Sequence, residues 1–230
     1  MQDCIRSIEA QTYKNYEVII VDGESNDGTR AILDELKSPF RAIIEQDEGV
    51  YDAMNKGIKA AKGEWLYFMG ADDQLYSETT LSDIFNKDIS QDTALVIGSI
   101  VYNYTADDSK FVKKNDGVFQ PRWSSKLWIK NTVHHQGVFY RRYLFDNSGY
   151  DTKYKVLGDY DFNLRLYKTG TKADVIETII AKCGTSGISK DYNWKLYRQE
   201  IALKAQYSNP LCRPLLYGLG VAKYLVKKII

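Results

Sequence analysis

Cysteine and histidine are scarce in this sequence, and neither sign of charge is in excess. The three cysteines, Cys4, Cys183 and Cys212, are far apart and odd in number, and no C-x-x-C pair occurs. A cysteine-based zinc site and a disulfide framework are thereby excluded, and the pattern fits a reducing compartment. Lys and Arg number 31 against 30 Asp and Glu. Nucleic acid is therefore not the expected partner, because phosphate backbones are bound by surplus cations. No apolar run reaches the roughly 18 residues needed to span a bilayer. The opening MQDCIRSIEAQTY carries charges and no apolar core, so no secretory leader is expected there. Internal repeats and low-complexity stretches are also missing.

What is present is the composition of an ordinary globular protein: 230 residues, 44% hydrophobic and 27% charged, with eighteen tyrosines. Tyrosine can stack on sugars or bases, but it is also common half-buried filler. The spacing of Cys4, Ile5 and Ile8 predicts an opening helix. YEVIIVD (16–22) reads as a buried strand, TRAILDELKS as a helix and FRAIIEQD as a second strand. GVYDAMNKGIKAAKGE reads as a helix closed by Gly63, and EWLYFM as a third strand. Strand and helix alternating at this spacing predict a parallel α/β sheet with crossover helices. Beyond residue 75 the pattern loosens. Strands are expected at 94–104, 137–142 and 172–182, and helices at LGDYDFNLRLYKTG and DYNWKLYRQEIALKAQY.

Three acidic segments end or follow the predicted strands: Asp22, Asp47 and the pair Asp72-Asp73. In open parallel sheets ligands sit beyond the carboxyl ends of the strands, so all three are expected on one rim. Adjacent carboxylates repel one another and each favours a cation. Mg2+ or Mn2+ takes oxygen ligands, often one or two carboxylates with substrate phosphates completing the shell. The same GADD could equally be a solvated turn. Asp27 reads as a helix N-cap. Lys56 reads as part of a solvated helix face. His134 and His135 are the chain's two histidines; neighbours in a strand point to opposite faces, so they do not readily share one metal.

The order and spacing of QTYKNYEVIIVDGESNDGT, EGVYDAMNKGIKAAKGEWLYFMGADD, HHQGVFYRR and LGDYDFNLRL resemble a family 2 glycosyltransferase of the GT-A fold, of the bacterial surface-polysaccharide type. The resemblance covers about residues 1 to 190. It implies a Rossmann-like, mostly parallel sheet, with a nucleotide-sugar-binding half (1–95), an acceptor-side half (96–190) and a helical extension (191–230). It also implies a further strand ahead of the first helix seen here. By resemblance, Asp22 contacts the base, Asp47 and Asn55 line the donor pocket, and Asp72 lies near the ribose. Asp73 is the ligand of Mg2+ or Mn2+, and His135 and Gln136 face the acceptor or the leaving diphosphate. Asp159 holds the position of the catalytic base, supported by Asp161, and Gly158 stands where the family usually has Glu. Gly70 and Gly23 likewise stand where the family often has Asp.

The implied activity is inverting transfer of a sugar from a UDP-sugar to a hydroxyl of a growing, lipid-linked glycan, at the inner face of the cell membrane. Two other readings stand beside it. An inactive, truncated subunit could serve as a scaffold. A nucleotidyltransferase would usually carry a Gly- and basic-rich phosphate loop after its first strand, and none is visible. CGTSGISKDYNWK has the composition of a lid or of a plain loop. In the tail, Leu215, Leu219, Ala222, Val226, Ile229 and Ile230 share one side of a helical wheel, with Lys223, Lys227, Lys228, Tyr217 and Tyr224 towards the other. Such a helix lies on a membrane surface or packs on the domain.

Overall fold

Short runs rich in β-branched and aromatic residues build two sheets, seen in a computed structural model that describes residues 1–103, 117–184 and 193–229. Helix α1 (Gln2–Glu9) leads to β1 (Val18–Asp22), α2 (Thr29–Asp34), β2 (Phe40–Ile44), α3 (Val50–Ala60) and β3 (Trp65–Tyr67). Then follow β4 (Gln74–Leu75), α4 (Thr80–Phe85), β5 (Leu95–Asn103), β6 (Val118–Phe119) and β7 (Val138–Arg141). The chain closes with α5 (Gly158–Lys168), β8 (Ala173–Gly184), α6 (Trp194–Tyr207) and α7 (Arg213–Ile229).

β1 and β2 pair in parallel, from Val18 with Phe40 to Asp22 with Ile44, as a sheet of their own. β3 does not extend that pair. It runs antiparallel to β7 in a second sheet ordered β3-β7-β5-β8-β4, with β6 also on β5. β5 and β8 are parallel, while β7, β6 and β4 are antiparallel to their neighbours. The architecture is α/β with a mixed sheet rather than parallel throughout. Alternating strand and helix placed β1 beside β2 correctly. The pairing of β3 was decided instead by a strand 70 residues further on, which local periodicity does not reveal.

Two apolar layers follow from the period of two along the strands. Leu95, Ile97, Val138 and Tyr140 point into one cluster with Leu127, Phe162, Leu164 and Leu203. Val96, Ile100 and Phe139 point into the other with Leu75, Leu81, Ile84 and Ile180. Each fully buried side chain of this size contributes about 1.5–3 kcal/mol. Phe145 and Phe162 stack at 4.4 Å. The buried amide of Gln11 donates to Ser7 O and Ser77 O and accepts from Leu81 N–H, which pins the end of α1 to the start of α4.

Local details depart from the sequence expectations for identifiable reasons. Helix α3 stops at Ala60 with Ala61 extended after it, two residues ahead of Gly63. The next two amides, of Lys62 and Gly63, donate to the Glu17 carboxylate instead of closing a glycine cap. Short β4 and α4 carry too few residues to show a period, and they were not foreseen. Helix α6, in the expected helical extension, packs on the rest of the chain: Leu203 is fully buried, and Lys204 Nζ donates to Ile129 O at 2.6 Å. The segment read as a lid or a plain loop falls largely on residues 185–192, outside the described residues.

Candidate active site

Helix α5 opens on Gly158-Asp159, so the Asp159 carboxylate sits in a first turn, where the helix dipole favours negative charge. The side chain is half-buried, and both its oxygens are held. Tyr51 Oη, from the first turn of α3, lies 2.9 Å from Oδ1, and Asn131 Nδ2 donates to Oδ2 at 3.3 Å. Asn131 is oriented in turn by the Val133 amide, which donates to its Oδ1. Asp161, two residues on, points elsewhere. It is buried and accepts from Tyr207 Oη of α6 at 2.9 Å, so its support consists of tying α5 to α6. Burial pushes the Asp161 carboxyl above the ordinary range, against the hydrogen bond from Tyr207 and the charge of Arg165.

Five residues after Asn131, Gln136 Nε2 donates to Asp73 Oδ2 at 3.0 Å. One segment therefore holds Asp159 near its start and Asp73 near its end. Asp73 is 3% exposed and also accepts from the backbone amides of Gly70 (2.9 Å) and Gly184 (3.2 Å). A carboxylate offers about four acceptor sites. Three are spent here on closing the turn after β3 and joining it to β8. Asp73 thus holds the loop in place at the position where the resemblance puts the metal ligand, while the carboxylate of Asp72 is exposed and takes no hydrogen bond from a described residue. A Cβ at Gly70 would stand 2.7 Å from Asp73 Oδ2 and 3.0 Å from Asp72 Oδ1, so an aspartate would not fit there without moving both. Nearby, burial and the Asp73 charge push the Cys183 thiol up, and burial pushes the Cys4 thiol up to about 11. Both stay protonated and unreactive.

His134 and His135 do diverge, though from a 3-10 turn (His135–Gly137) rather than from a strand. The His134 ring sits edge-on to Tyr102 and Phe119, and burial pulls its pKa down to about 4. His135 stacks on Phe68 at 5.2 Å and lies 5.7 Å from Tyr150. Burial lowers its pKa too, opposed by the charges of Asp159 and Asp73, which both act on this ring. Neither of its buried nitrogens meets a partner among the described residues. The ring is thus a neutral imidazole enclosed among aromatic side chains, under the opposing charges of Asp159 and Asp73.

On the β1 side, Asp22 accepts from Ser25 N–H (3.0 Å) and Ser25 Oγ (2.5 Å), closing the turn after the strand. Asp47 accepts from the Gly49 amide at 2.8 Å. Its Oδ2 lies 2.5 Å from where a Cβ at Gly23 would stand, which brings the loops after β1 and β2 together. Asn55 spends both ends of its amide on the Tyr150 backbone, donating to its carbonyl (2.9 Å) and accepting from its N–H (2.8 Å). Lys56 is ion-paired with Glu45 and Asp52 on the helix surface. Asp27 accepts from the Thr29 amide at the start of α2. The sequence reading missed Tyr51 and Asn131. Tyr51 lies within a segment already singled out, but nothing local connects it to a carboxylate 108 residues away.

A sequence profile described as Glycosyl transferase family 2 matches residues 1–149. The chain belongs to the family 2 glycosyltransferases. Among relatives of this family, a PGL/p-HBAD biosynthesis glycosyltransferase of Mycobacterium bovis is 37% identical over 176 residues, 71% of this chain and 63% of that protein. Glycosyltransferase GlyG of Streptococcus pneumoniae is 32% identical over 113 residues, 47% of this chain and 37% of that protein. The chain thus spans less than two thirds of the length of these curated relatives.

Solved structures agree in fold. S. aureus TarS 1-349 in complex with UDP aligns with a TM-score of 0.65 at 17% identity, over 97% of this chain and 66% of that one. The mannosyltransferase PcManGT from Pyrobaculum calidifontis, in complex with GDP-Man and Mn2+, aligns at 0.63 and 20% identity, over 97% and 65%. This family 2 chain therefore has the GT-A architecture. No described helix is long and apolar enough to cross a membrane.

Proposed function

We propose that this glycosyltransferase moves a sugar from a UDP-sugar to a hydroxyl of a lipid-linked glycan by a single displacement with inversion. The observation that carries the reading is Asp159: a carboxylate steered by two donors yet still half-exposed, at the start of a helix. In the reaction the acceptor oxygen attacks the anomeric carbon while the bond to the diphosphate breaks. The acceptor proton goes to Asp159. The contact proposed for His135 is with the acceptor or the departing diphosphate, and it requires the enclosed ring nitrogens to be uncovered on binding. Asp22 and Asp47, on adjoining loops, fit the base and donor side. Asn55 acts there through the Tyr150 backbone it clamps.

No group of three or more His, Cys, Asp or Glu among the described residues forms a ready-made metal cage. One free carboxylate, Asp72, nevertheless fits a Mg2+ or Mn2+ whose shell is completed by donor phosphates. Such an ion would neutralise charge developing on the leaving diphosphate. The UDP complex of TarS and the GDP-Man and Mn2+ complex of PcManGT support a nucleotide-sugar donor and a divalent cation.

Helix α7 supports work at a membrane surface. Its Tyr217 and Tyr224 rings pack on Trp194, and Tyr224 also packs on Tyr197 of α6, where Gly220 meets Ile201. The opposite stripe is left bare, with Leu215 65% and Val226 56% exposed. Lys223 is ion-paired with Glu200 of α6, but an apolar stripe on a helix that also bears Arg213, Lys227 and Lys228 suits an anionic lipid interface. The test of the catalytic reading is a donor screen that follows UDP release in the presence of Mn2+ and a lipid-linked acceptor. Release dependent on one UDP-sugar and on the acceptor is the expected result. Well-folded protein that neither binds UDP nor releases it would sink the reading.

A further inference from the structure

The Tyr51 hydroxyl stands between two acceptors, 2.8 Å from Val156 O and 2.9 Å from Asp159 Oδ1. A phenol has one proton to donate, so it serves one acceptor at a time. Its ring is 7% exposed and lies 5.4 Å from the Tyr150 ring. The same ring fills the space beside residue 158. A Cβ there would stand 2.8 to 2.9 Å from ring carbons Cε2, Cδ2 and Cγ, closer than side-chain carbons pack. Gly158 is therefore the counterpart of Tyr51: the side chain missing from α5 is replaced by a ring delivered from α3. This explains why a glycine precedes the acidic residue at a position where the family usually carries Glu.

We propose that Tyr51 is the positioning residue of Asp159, and that Gly158 is required because it admits the Tyr51 ring. The inference rests on the reading of Asp159 as the base. While Asp159 is ionised, Tyr51 donates to Oδ1 and holds the carboxylate towards the acceptor. Once Asp159 has taken the acceptor's proton, the new carboxylic O–H can donate to the phenol oxygen, and the Tyr51 proton turns to Val156 O. No proton leaves Tyr51 in this exchange, and the transferred proton stays on Asp159. Either protonation state of the base is thus hydrogen-bonded in the same place, which spares the site a reorganisation during the step. Burial and the nearby Asp159 charge both disfavour a phenolate at Tyr51, in keeping with a hydroxyl that reorients and does not ionise.

The experiment compares the full chain with Tyr51→Phe, Gly158→Ala, Asp159→Asn, Asp159→Glu and Tyr51→Phe/Asp159→Glu, reading kcat, donor KM and calorimetric UDP binding. Tyr51→Phe keeps the ring and removes only the hydroxyl. It is expected to lower kcat about 10- to 100-fold with donor KM and UDP binding within about twofold, the pattern of a misdirected catalytic group. Gly158→Ala, which pushes on the ring, is expected to show the same split. In the Asp159→Glu background, where the carboxylate no longer sits at the hydroxyl, Tyr51→Phe should add less than about twofold, because the two act as one unit. An equal loss in both backgrounds, or a loss confined to KM, would overturn the role of Tyr51 while leaving the base intact. A wild-type rate for Asp159→Asn would remove the base and this inference together.

Discussion

Gln136 Nε2 donates to Asp73 Oδ2 at 3.0 Å, so a side chain from the turn before β7 fixes a carboxylate in the loop after β3. The Gly70 and Gly184 amides complete the hold. Asp73 is thereby anchored, and the proposal gives the cation to its exposed neighbour Asp72. Asp73→Ala strands three donors and should cost about 3 kcal/mol or more of stability. Asp72→Ala should leave thermal unfolding within about 0.5 kcal/mol, as surface changes usually do, and abolish stimulation of turnover by Mn2+. Melting curves and a Mn2+ titration of UDP release measure both. Loss of Mn2+ stimulation in a stable Asp73→Asn variant, with Asp72→Ala unaffected, would restore the opposite assignment.

Asp159→Asn keeps the size of the side chain and an oxygen for Tyr51 to donate to, but it cannot take a proton. Transfer should fall by about 10²- to 10⁴-fold, the usual contribution of a positioned base. UDP affinity, measured by calorimetry, should stay within about twofold, because the contact concerns the acceptor side of the reaction.

Asp161 gives a pH prediction with a definite sign. Its folded pKa is raised by burial, so the native state binds the proton more tightly than the unfolded chain. The associated stability is present below the unfolded value of about 3.9 and is lost as pH rises through the folded value. Asp161→Asn retains an acceptor for Tyr207 and carries no charge to bury. It should be more stable than the parent at pH 7, by about 2–4 °C in Tm per kcal/mol recovered. That advantage should vanish below about pH 3.9. Thermal melts across the range check it. A less stable Asn variant at pH 7 would mean that the charged form is favoured.

Replacing Leu215, Leu219 and Val226 by Ser removes the bare stripe of α7 without touching the tyrosines that pack on α6. Co-sedimentation with vesicles containing anionic lipid should fall by about tenfold or more, since burying each such side chain contributes about 1.5–3 kcal/mol. Equal co-sedimentation of parent and variant would remove the membrane from the account.

The wheel of α7 shows how far sequence reading reaches. Its apolar stripe and its Tyr-bearing side were both legible at a period of 3.6, and the structure puts the tyrosines inward on α6 and the leucines outward. Most longer strands and helices were legible for the same reason, since burial on one face imposes a period on neighbours in the chain. The acidic residues at strand ends were likewise visible as candidates. Which of them would be engaged by hydrogen-bond donors was not, because those donors arrive from elsewhere in the chain.

By itself the sequence determined the α/β class, the family and the places where carboxylates cluster, all of which are written in local spacing and residue type. Tertiary structure alone decided that β3 pairs with β7 and not with β1 or β2. It also decided that Gln136 donates to Asp73 and that Tyr51 fills the space left by Gly158. Each of these is a contact between residues at least 60 positions apart. Hydrogen bonds and packing act over a few ångströms in space, whatever the separation along the chain.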